Sequence, residues 1–314
     1  MKIIRYTSEF RLLNPVISTI GTFDGFHLGH QQLIAQMIKK KEVLNLPLCL
    51  LTFEPHPKLV LNKDSEPRQL LTTTDEKINR LQSFGIDVLV VYPFTSLFSE
   101  WSPEMFFNRL IVQQMQTRCL FMGYDHRFGK NREGNAQSLG ELADTKGVEL
   151  ESCPAVYEAG IPISSTRIRK ALQTGQIDTA TRLLGTPYTI TGKVVRGKGR
   201  GGTRGVPTAN IEISDAYKCI PAQGVYLVKG QWDSKKSYFG MMNIGVNPTF
   251  EKIPVLHCEV HFFEFEGNLY GQDLIIHFLE YLRAEQRFNS ADALYRQIEQ
   301  DAKQCQNLMA QKYH

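Results

Sequence analysis

The chain has 314 residues, 42% of them hydrophobic and 22% charged, with a net charge of +4 at neutral pH, which suggests about two soluble globular domains, each able to bury its own core. The small positive balance, with no basic block beyond Lys39, Lys40 and Lys41, argues against nucleic acid and for anionic small ligands. Six cysteines (Cys49, Cys119, Cys153, Cys219, Cys258 and Cys305) are scattered without a C-x-x-C pair, so a reducing compartment is expected and neither a zinc site nor a disulfide framework is.

In chain order, residues 1–14 lack the continuous apolar run of a signal peptide, and no later stretch reaches the apolar length of a membrane span. A cytoplasmic protein with no membrane partner and no obligate protein partner is expected. Val16, Ile17 and Ile20 read as a buried strand, joined by a turn at Gly21 and Gly25 to a helix running to residue 44. His27 and His30 open that helix on one face. Amides at a helix start have no intrahelical partner and carry the positive end of the dipole, so they favour an anion such as phosphate. Imidazoles three residues apart add donors to the same ligand. For an isolated H-x-x-H, a satisfied histidine pair at a helix cap is the favoured explanation. The whole string G-T-F-D-G-F-H-L-G-H favours a phosphate loop, with glycines where backbone must approach a ligand.

An apolar run over 47–53 suits a parallel strand covered on both faces. It ends in Glu54, Pro55, His56 and Pro57, where the prolines predict a rigid extended loop at the carboxyl end of a strand, the place where open α/β sheets bind ligands. A helix over 75–84, a strand over 87–92, a helix over 103–114 and strands over 119–122 and 148–156 continue the alternation, the pattern of a doubly wound parallel sheet. Between the last two strands, the run from Gly123 to Gly129 suits a nucleotide or ring-stacking site and a polar surface turn equally. Ser164, Ser165 and Thr166 then precede a helix predicted at 170–173. Capping explains one hydroxyl. Three of them with Arg167 and Arg169 resemble a clamp for β- and γ-phosphates, since arginine binds two oxygens at once.

The set G-x-F-D-G-x-H-x-G-H at 21–30, P-H-P at 55–57, G-x-D-x-R-F-G at 123–129 and I-S-S-T-x-I-R at 163–169 resembles the adenylyltransferase module of bacterial FAD synthetases, itself similar to the Rossmann-like nucleotidylyltransferases. The resemblance implies that His27 and His30 contact ATP phosphates, and that Gly21, Phe23, Asp24, Gly25, Gly29 and Asp125 belong to the nucleotide site. It also implies that Ser164, Ser165, Thr166 and Arg169 grip the leaving pyrophosphate and that Pro55, His56 and Pro57 lie near a flavin.

A short helix closes at Leu184 and Gly185-Thr-Pro breaks the pattern, which places a boundary between domains 1–185 and 186–314. Short alternating segments at 188–195, 225–229, 238–243, 258–265 and 274–281 predict a small β-barrel. Leu294, Ile298, Ala302, Cys305 and Leu308, at helical spacing, predict an amphipathic helix over 291–310 that covers it. The expected fold class is therefore α/β followed by β: an N-terminal Rossmann-like domain with a parallel sheet, then a small barrel with a terminal helix.

Gly197, Gly199 and Gly201, interleaved with Lys198 and Arg200, form a loop that can approach phosphates or simply a flexible hairpin tip; the P-loop spacing is absent. In P-T-A-N, Thr208 and Asn210 fall on one side of an extended strand as two neutral oxygens suited to Mg²⁺ beside phosphates. Glu259 shares a strand face with His261, either as a solvated position or as a general base. With P-T-A-N at 207–210, N-I-G-x-N-P-T-F at 243–250, E-V-H-x-F at 259–263, L-Y-G at 269–271 and L-R-x-E-x-x-F at 282–288, this half resembles riboflavin kinase. The resemblance implies that Thr208 and Asn210 bind Mg²⁺–ATP, that Glu259 deprotonates the ribityl 5′-hydroxyl, and that Arg283, Glu285 and Phe288 lie near the flavin. Together the two halves resemble a bifunctional enzyme whose substrates are riboflavin, FMN and ATP, with Mg²⁺ as cofactor.

Overall fold

Six parallel strands make the sheet of the first half: β1 (Lys2–Arg5), β2 (Val16–Ile20), β3 (Leu48–Glu54), β4 (Val88–Pro93), β5 (Thr117–Gly123) and β6 (Glu149–Cys153), in the order β1-β4-β3-β2-β5-β6. The structure, a computed structural model, describes residues 1–7, 10–61, 69–124, 127–130, 133–134, 136–196, 207–233, 236–246 and 256–313. The chain divides into two compact units, Met1–Ser165 and Thr166–His314.

Successive residues of the central strands feed opposite cores, as a sheet covered on both faces requires. Ile17, Leu48 and Leu50 pack with Leu33, Ile34 and Met37 of α1 (Leu28–Leu44) and with Ile78 and Leu81, while Val16, Ile20, Cys49 and Leu51 pack on the other face. A one-turn helix, α2 (Pro57–Leu61), follows β3, and α3 (Thr74–Leu81) carries Ile78 and Leu81. The start of α3 is fixed by a reciprocal cap, in which Thr73 Oγ1 accepts from the Glu76 amide and the Glu76 carboxylate accepts from the Thr73 amide. Short α4 (Ser96–Ser99) and α5 (Pro103–Met105) lead into Phe106–Gln114, predicted as an ordinary helix but wound as a π-helix whose Phe107, Leu110 and Ile111 fill the second core beside α6 (Ala136–Lys146). Edge strand β1 went unrecognised in the sequence. Four residues carrying two basic side chains give little pattern, and their place is set by pairing with β4.

The strand expected over 148–156 stops at Cys153, ahead of Pro154 and a small hairpin of β7 (Tyr157–Glu158) and β8 (Ile161–Pro162). Helix α7 (Ser165–Gln173) starts five residues before the predicted position, so Ser165, Thr166, Arg167 and Arg169 are helical and only Ser164 precedes it. Serine and threonine lower helix propensity only slightly, and buried Ile168, Ala171 and Leu172 supply the face that forms the helix. Helix α8 (Ile177–Leu184) ends on left-handed Gly185.

The second unit is a closed antiparallel barrel of β9 (Tyr188–Val195), β10 (Ala209–Glu212), β11 (Gly224–Asp233), β12 (Lys236–Val246), β13 (Leu256–Phe262) and β14 (Asp273–Arg283), ordered β10-β13-β12-β11-β14-β9. Tyr226, Val228, Met242, Ile244, Val260, Ile276 and Phe278 are fully buried in it. Its interior is therefore packed core, and any ligand must bind outside. Helix α9 (Ala291–Lys312) covers part of that outer surface, Cys305 packing with Leu227, Leu279 and Met241. Leu294, expected on the buried face, is 37% exposed, whereas Asp301 is 2% exposed. A carboxylate at helical spacing reads as solvent-facing, and Asp301 is buried because Arg283 and Gln297 bind it.

Candidate functional site

In the first unit, the loop after β2 is held from several sides. Asp24 is buried and its Oδ1 accepts from the amides of Leu71 (2.8 Å) and Thr72 (3.1 Å), while the Gly25 amide donates to Thr72 Oγ1 (3.1 Å). Thr52 Oγ1 donates to the Thr22 carbonyl (3.2 Å), and Ser165 Oγ donates to that of Asp24 (2.9 Å). These ties hold Phe23 and Phe26 in left-handed backbone, at φ of 48° and 42°, a strain of about 1 to 3 kcal/mol each that only a well-tethered segment sustains. Gly21 and Gly29 serve the loop differently from expectation: an added Cβ would lie 3.1 Å from the Phe23 ring and the His27 ring respectively, so their smallness admits those rings.

The loop delivers His27 to the N-cap of α1 and His30 to its first turn. Their rings stack with centroids 3.8 Å apart, and His30 is also flanked by Phe23 and Phe26. Neither Nδ1 has a hydrogen-bond partner among the described residues. Burial lowers the His27 pKa to about 4 and holds that of His30 well below its ordinary value, with the charge of Arg80 opposing protonation of both and Lys77 adding to that at His30. The pair is therefore neutral at pH 7 and desolvated, two unpaired nitrogens at a helix start.

Lys77 and Arg80, three residues apart on α3, were not singled out from the sequence. Lys77 is only 3% exposed, its Nζ donates to Thr52 Oγ1 (3.0 Å), and through Thr52 it is linked to the Thr22 carbonyl. Burial lowers its pKa to about 8 against the opposing pull of Asp24 and Glu54, and burial also lowers that of Arg80. The available signal was a lysine next to Ile78 and four residues before Leu81, on the apolar stripe of the helix.

The other first-half candidates divide. β3 ends at Glu54, Pro55 and His56 form the connection, and Pro57 is the first residue of α2, where His56 Nδ1 accepts from the Lys58 amide (3.1 Å). Gly123 ends β5, but Phe128 of the same motif is buried against Phe106 with ring centroids 5.2 Å apart, so that aromatic belongs to the core. Asp125 lies outside the described residues. Arg169, on α7, donates from Nη2 to Thr166 Oγ1 (3.2 Å).

In the second unit, the strand register brings three polar residues into one row. Asn210 of β10 is paired with Glu259 of β13, which is paired in turn with Asn243 of β12. Directly opposed residues project from the same face with Cβ atoms about 5 Å apart. That face is the outer one, since Cys258, Val260 and Phe262 alternate with Glu259 and are buried. Thr208 immediately precedes β10, and the carbonyl of Pro207 is 2.8 Å from His261 Nδ1. Gly197, Gly199 and Gly201 lie outside the described residues.

Arg283, at the end of β14, binds Asp301 through Nε and Nη2 at 2.7 to 3.1 Å and lies 5.9 Å from the Phe288 ring. It thus pins the 283–288 segment to α9. The Glu285 carboxylate lies over Gly245, where a Cβ would collide with it and stand 3.2 Å from Asn243 Nδ2. Glu285 therefore reaches the neighbourhood of the Asn210–Glu259–Asn243 row.

Among the described residues, no helix is long and apolar enough to cross a membrane. The FAD synthetase family model matches residues 10–167 and the riboflavin kinase family model residues 184–309. Bifunctional riboflavin kinase/FMN adenylyltransferases align along almost their whole length: the Listeria monocytogenes protein is 36% identical over 94% of this chain and 92% of its own, the Bacillus subtilis protein 36% over 97% of each, and the Escherichia coli K12 protein 35% over 91% and 90%. A crystal structure of a Streptococcus pneumoniae protein named as a macrolide-efflux protein has the same fold, with a TM-score of 0.89 at 30% identity, covering 98% of this chain and 99% of that one. With both family models matched in the order of these relatives, the chain belongs to the bifunctional riboflavin kinase/FMN adenylyltransferase family.

Proposed function

We propose that residues 186–314 phosphorylate riboflavin with ATP, giving FMN and ADP, and that residues 1–185 transfer AMP from a second ATP to FMN, giving FAD and pyrophosphate. The family matches to 184–309 and 10–167 support this division. The observation that carries the reading is that each reaction has its own constellation inside one compact unit: His27, His30 and Lys77 in the first, and Asn210, Glu259 and Asn243 in the second.

In the kinase, Glu259, paired in register with Asn210 and Asn243, takes the proton of the ribityl 5′-hydroxyl as that oxygen attacks the γ-phosphate. Thr208 and Asn210 offer hard, neutral oxygens, and among the described residues no group of three His, Cys, Asp or Glu side chains is placed to hold a metal alone. That donor set fits Mg²⁺, which commonly keeps substrate phosphates and waters among its ligands. Bound there, Mg²⁺ would neutralise phosphate charge. Arg283 orients the segment carrying Glu285 and Phe288, which we assign to the flavin.

In the adenylyltransferase the nucleophile is the FMN phosphate, already an anion at pH 7, so no protein base is needed. His27 and His30 bind the ATP phosphates and stabilise the charge that develops as pyrophosphate leaves. Phe23, Asp24 and the three glycines shape the loop that holds them. Ser164 and Ser165 are assigned to pyrophosphate, and Pro55, His56 and Pro57 to the flavin side.

Incubation of the full chain with riboflavin, ATP and Mg²⁺, followed by chromatography, should show FMN first and FAD after it. Riboflavin left unconverted would overturn the kinase assignment. FMN accumulating without FAD would overturn the adenylyltransferase assignment.

A further inference from the structure

We infer that His261 is a positioning residue of the kinase site, holding the Thr208–Asn210 edge in place through the carbonyl of Pro207. The inference rests on the reading that Thr208 and Asn210 hold Mg²⁺–ATP.

The ladder between β10 and β13 provides the reason. Its first pair is Ala209 with Val260, followed by Asn210 with Glu259. Continuing that register by one pair sets Thr208 opposite His261, but β10 begins only at Ala209. Pro207 has no N–H to donate, so ordinary strand pairing cannot extend through it. Its carbonyl is instead met by a side chain, His261 Nδ1 at 2.8 Å. A carbonyl only accepts, so Nδ1 must carry the proton. The bond fixes the Pro207–Thr208 peptide plane, and with it the direction in which the Thr208 side chain leaves the backbone.

His261 is held in turn by its surroundings. It lies on the outer face two residues from Glu259, opposite Met241 of β12, with its ring edge-on to Phe263 at 5.7 Å. One strand thus carries the general base and, two residues on, the group that orders the metal-binding edge. Outer groups that orient metal ligands commonly affect affinity or turnover by about 10- to 100-fold.

The test compares His261→Leu with His261→Asn in the full chain, because asparagine Nδ2 can replace the Nδ1 donor while leucine keeps only bulk. Binding of Mn²⁺ with ADP is followed by electron paramagnetic resonance, and because the variants share one unaltered first unit, the difference between them reads the C-terminal site. Kinase turnover is measured in the otherwise native chain. His261→Leu should weaken Mn²⁺–ADP binding and lower kinase kcat/KM roughly tenfold, leaving adenylylation of supplied FMN at its normal rate, and His261→Asn should restore most of both losses. If leucine and asparagine behave alike, the inference is overturned. Nitrogen-15 spectra of His261 in the unmutated chain give an independent reading: a proton on Nδ1 is expected, and a neutral ring protonated only on Nε2 would overturn it. Thr208→Ala tests the underlying reading separately. If it binds Mn²⁺–ADP normally, the metal assignment itself fails, whatever His261 does.

Discussion

The rings of His27 and His30 stack 3.8 Å apart at the start of α1, His27 buried and His30 half-buried with its Nδ1 enclosed, both neutral at pH 7. Between about pH 4 and 6.5 the unfolded chain binds more protons at His27 than the folded one does, so stability is fully present above pH 6.5 and falls as the pH drops toward 4. His27 alone accounts for about 3 kcal/mol across that window. A bound triphosphate reverses the balance, because its negative charge favours the imidazolium form. ATP binding to the first unit should therefore take up protons near neutral pH. Calorimetry in buffers of different ionisation heat measures this, and the uptake should shrink in His27→Ala or His30→Ala. Uptake left unchanged in both variants would overturn this protonation of the pair.

Lys77 offers the opposite trade. Its charge is buried against the Thr52 hydroxyl, and although Asp24 and Glu54 pull the other way, its pKa of about 8 lies below the unfolded value of 10.5. Holding that charge costs about 3 kcal/mol at pH 7, and stability should rise as pH climbs from about 8 to 10.5. Lys77→Met should raise the Tm of the first unit at pH 7 while lowering FMN adenylylation by roughly tenfold or more. Because Lys77 also opposes protonation of His30, the same variant should raise the His30 pKa in an NMR titration. A stabilised variant with normal adenylylation would remove Lys77 from the site.

The two sites should separate cleanly. Glu259→Ala should abolish FMN formation while FMN supplied directly is still adenylylated, and His30→Ala should do the reverse. Removing one donor to a developing anion commonly costs on the order of a hundredfold in rate. Loss of both activities in a folded Glu259→Ala chain would contradict two independent centres.

What the sequence made legible was periodic or contiguous. Alternating apolar runs marked the central strands, and the G-T-F-D-G-F-H-L-G-H string marked the loop that holds the stacked histidines. Lys77 and Asp301 were hidden for the opposite reason: both are charged residues on apolar helix faces, and their partners Thr52 and Arg283 lie 25 and 18 residues away in sequence. Periodicity reports which face is buried and not which charge has found a partner there. Asn243 was visible within a motif, but only the register of β12 with β13 places it beside Glu259. A one-residue slip would have sent it to the barrel interior. Phe128 shows the converse, a motif aromatic that packs into the core against Phe106.

Gly245 gives the most local test of the outer-face site. It lies in β12 two residues beyond Asn243, and the Glu285 carboxylate occupies the space over it that a Cβ would need. The colliding atom is the far end of a flexible side chain, so Gly245→Ala should fold with nearly unchanged Tm, Glu285 swinging aside. What should change is the kinase: if Glu285 contacts the flavin, the KM for riboflavin should rise several-fold with a smaller change in kcat, and adenylylation of supplied FMN should be untouched. A double-mutant cycle isolates the cause. In a Glu285→Ala background the carboxylate that the added methyl displaces is gone, so Gly245→Ala should then have little further effect on the riboflavin KM. Equal effects in both backgrounds would mean that the glycine acts on Asn243, whose Nδ2 is 3.2 Å from the same point, and the flavin assignment of Glu285 would fall.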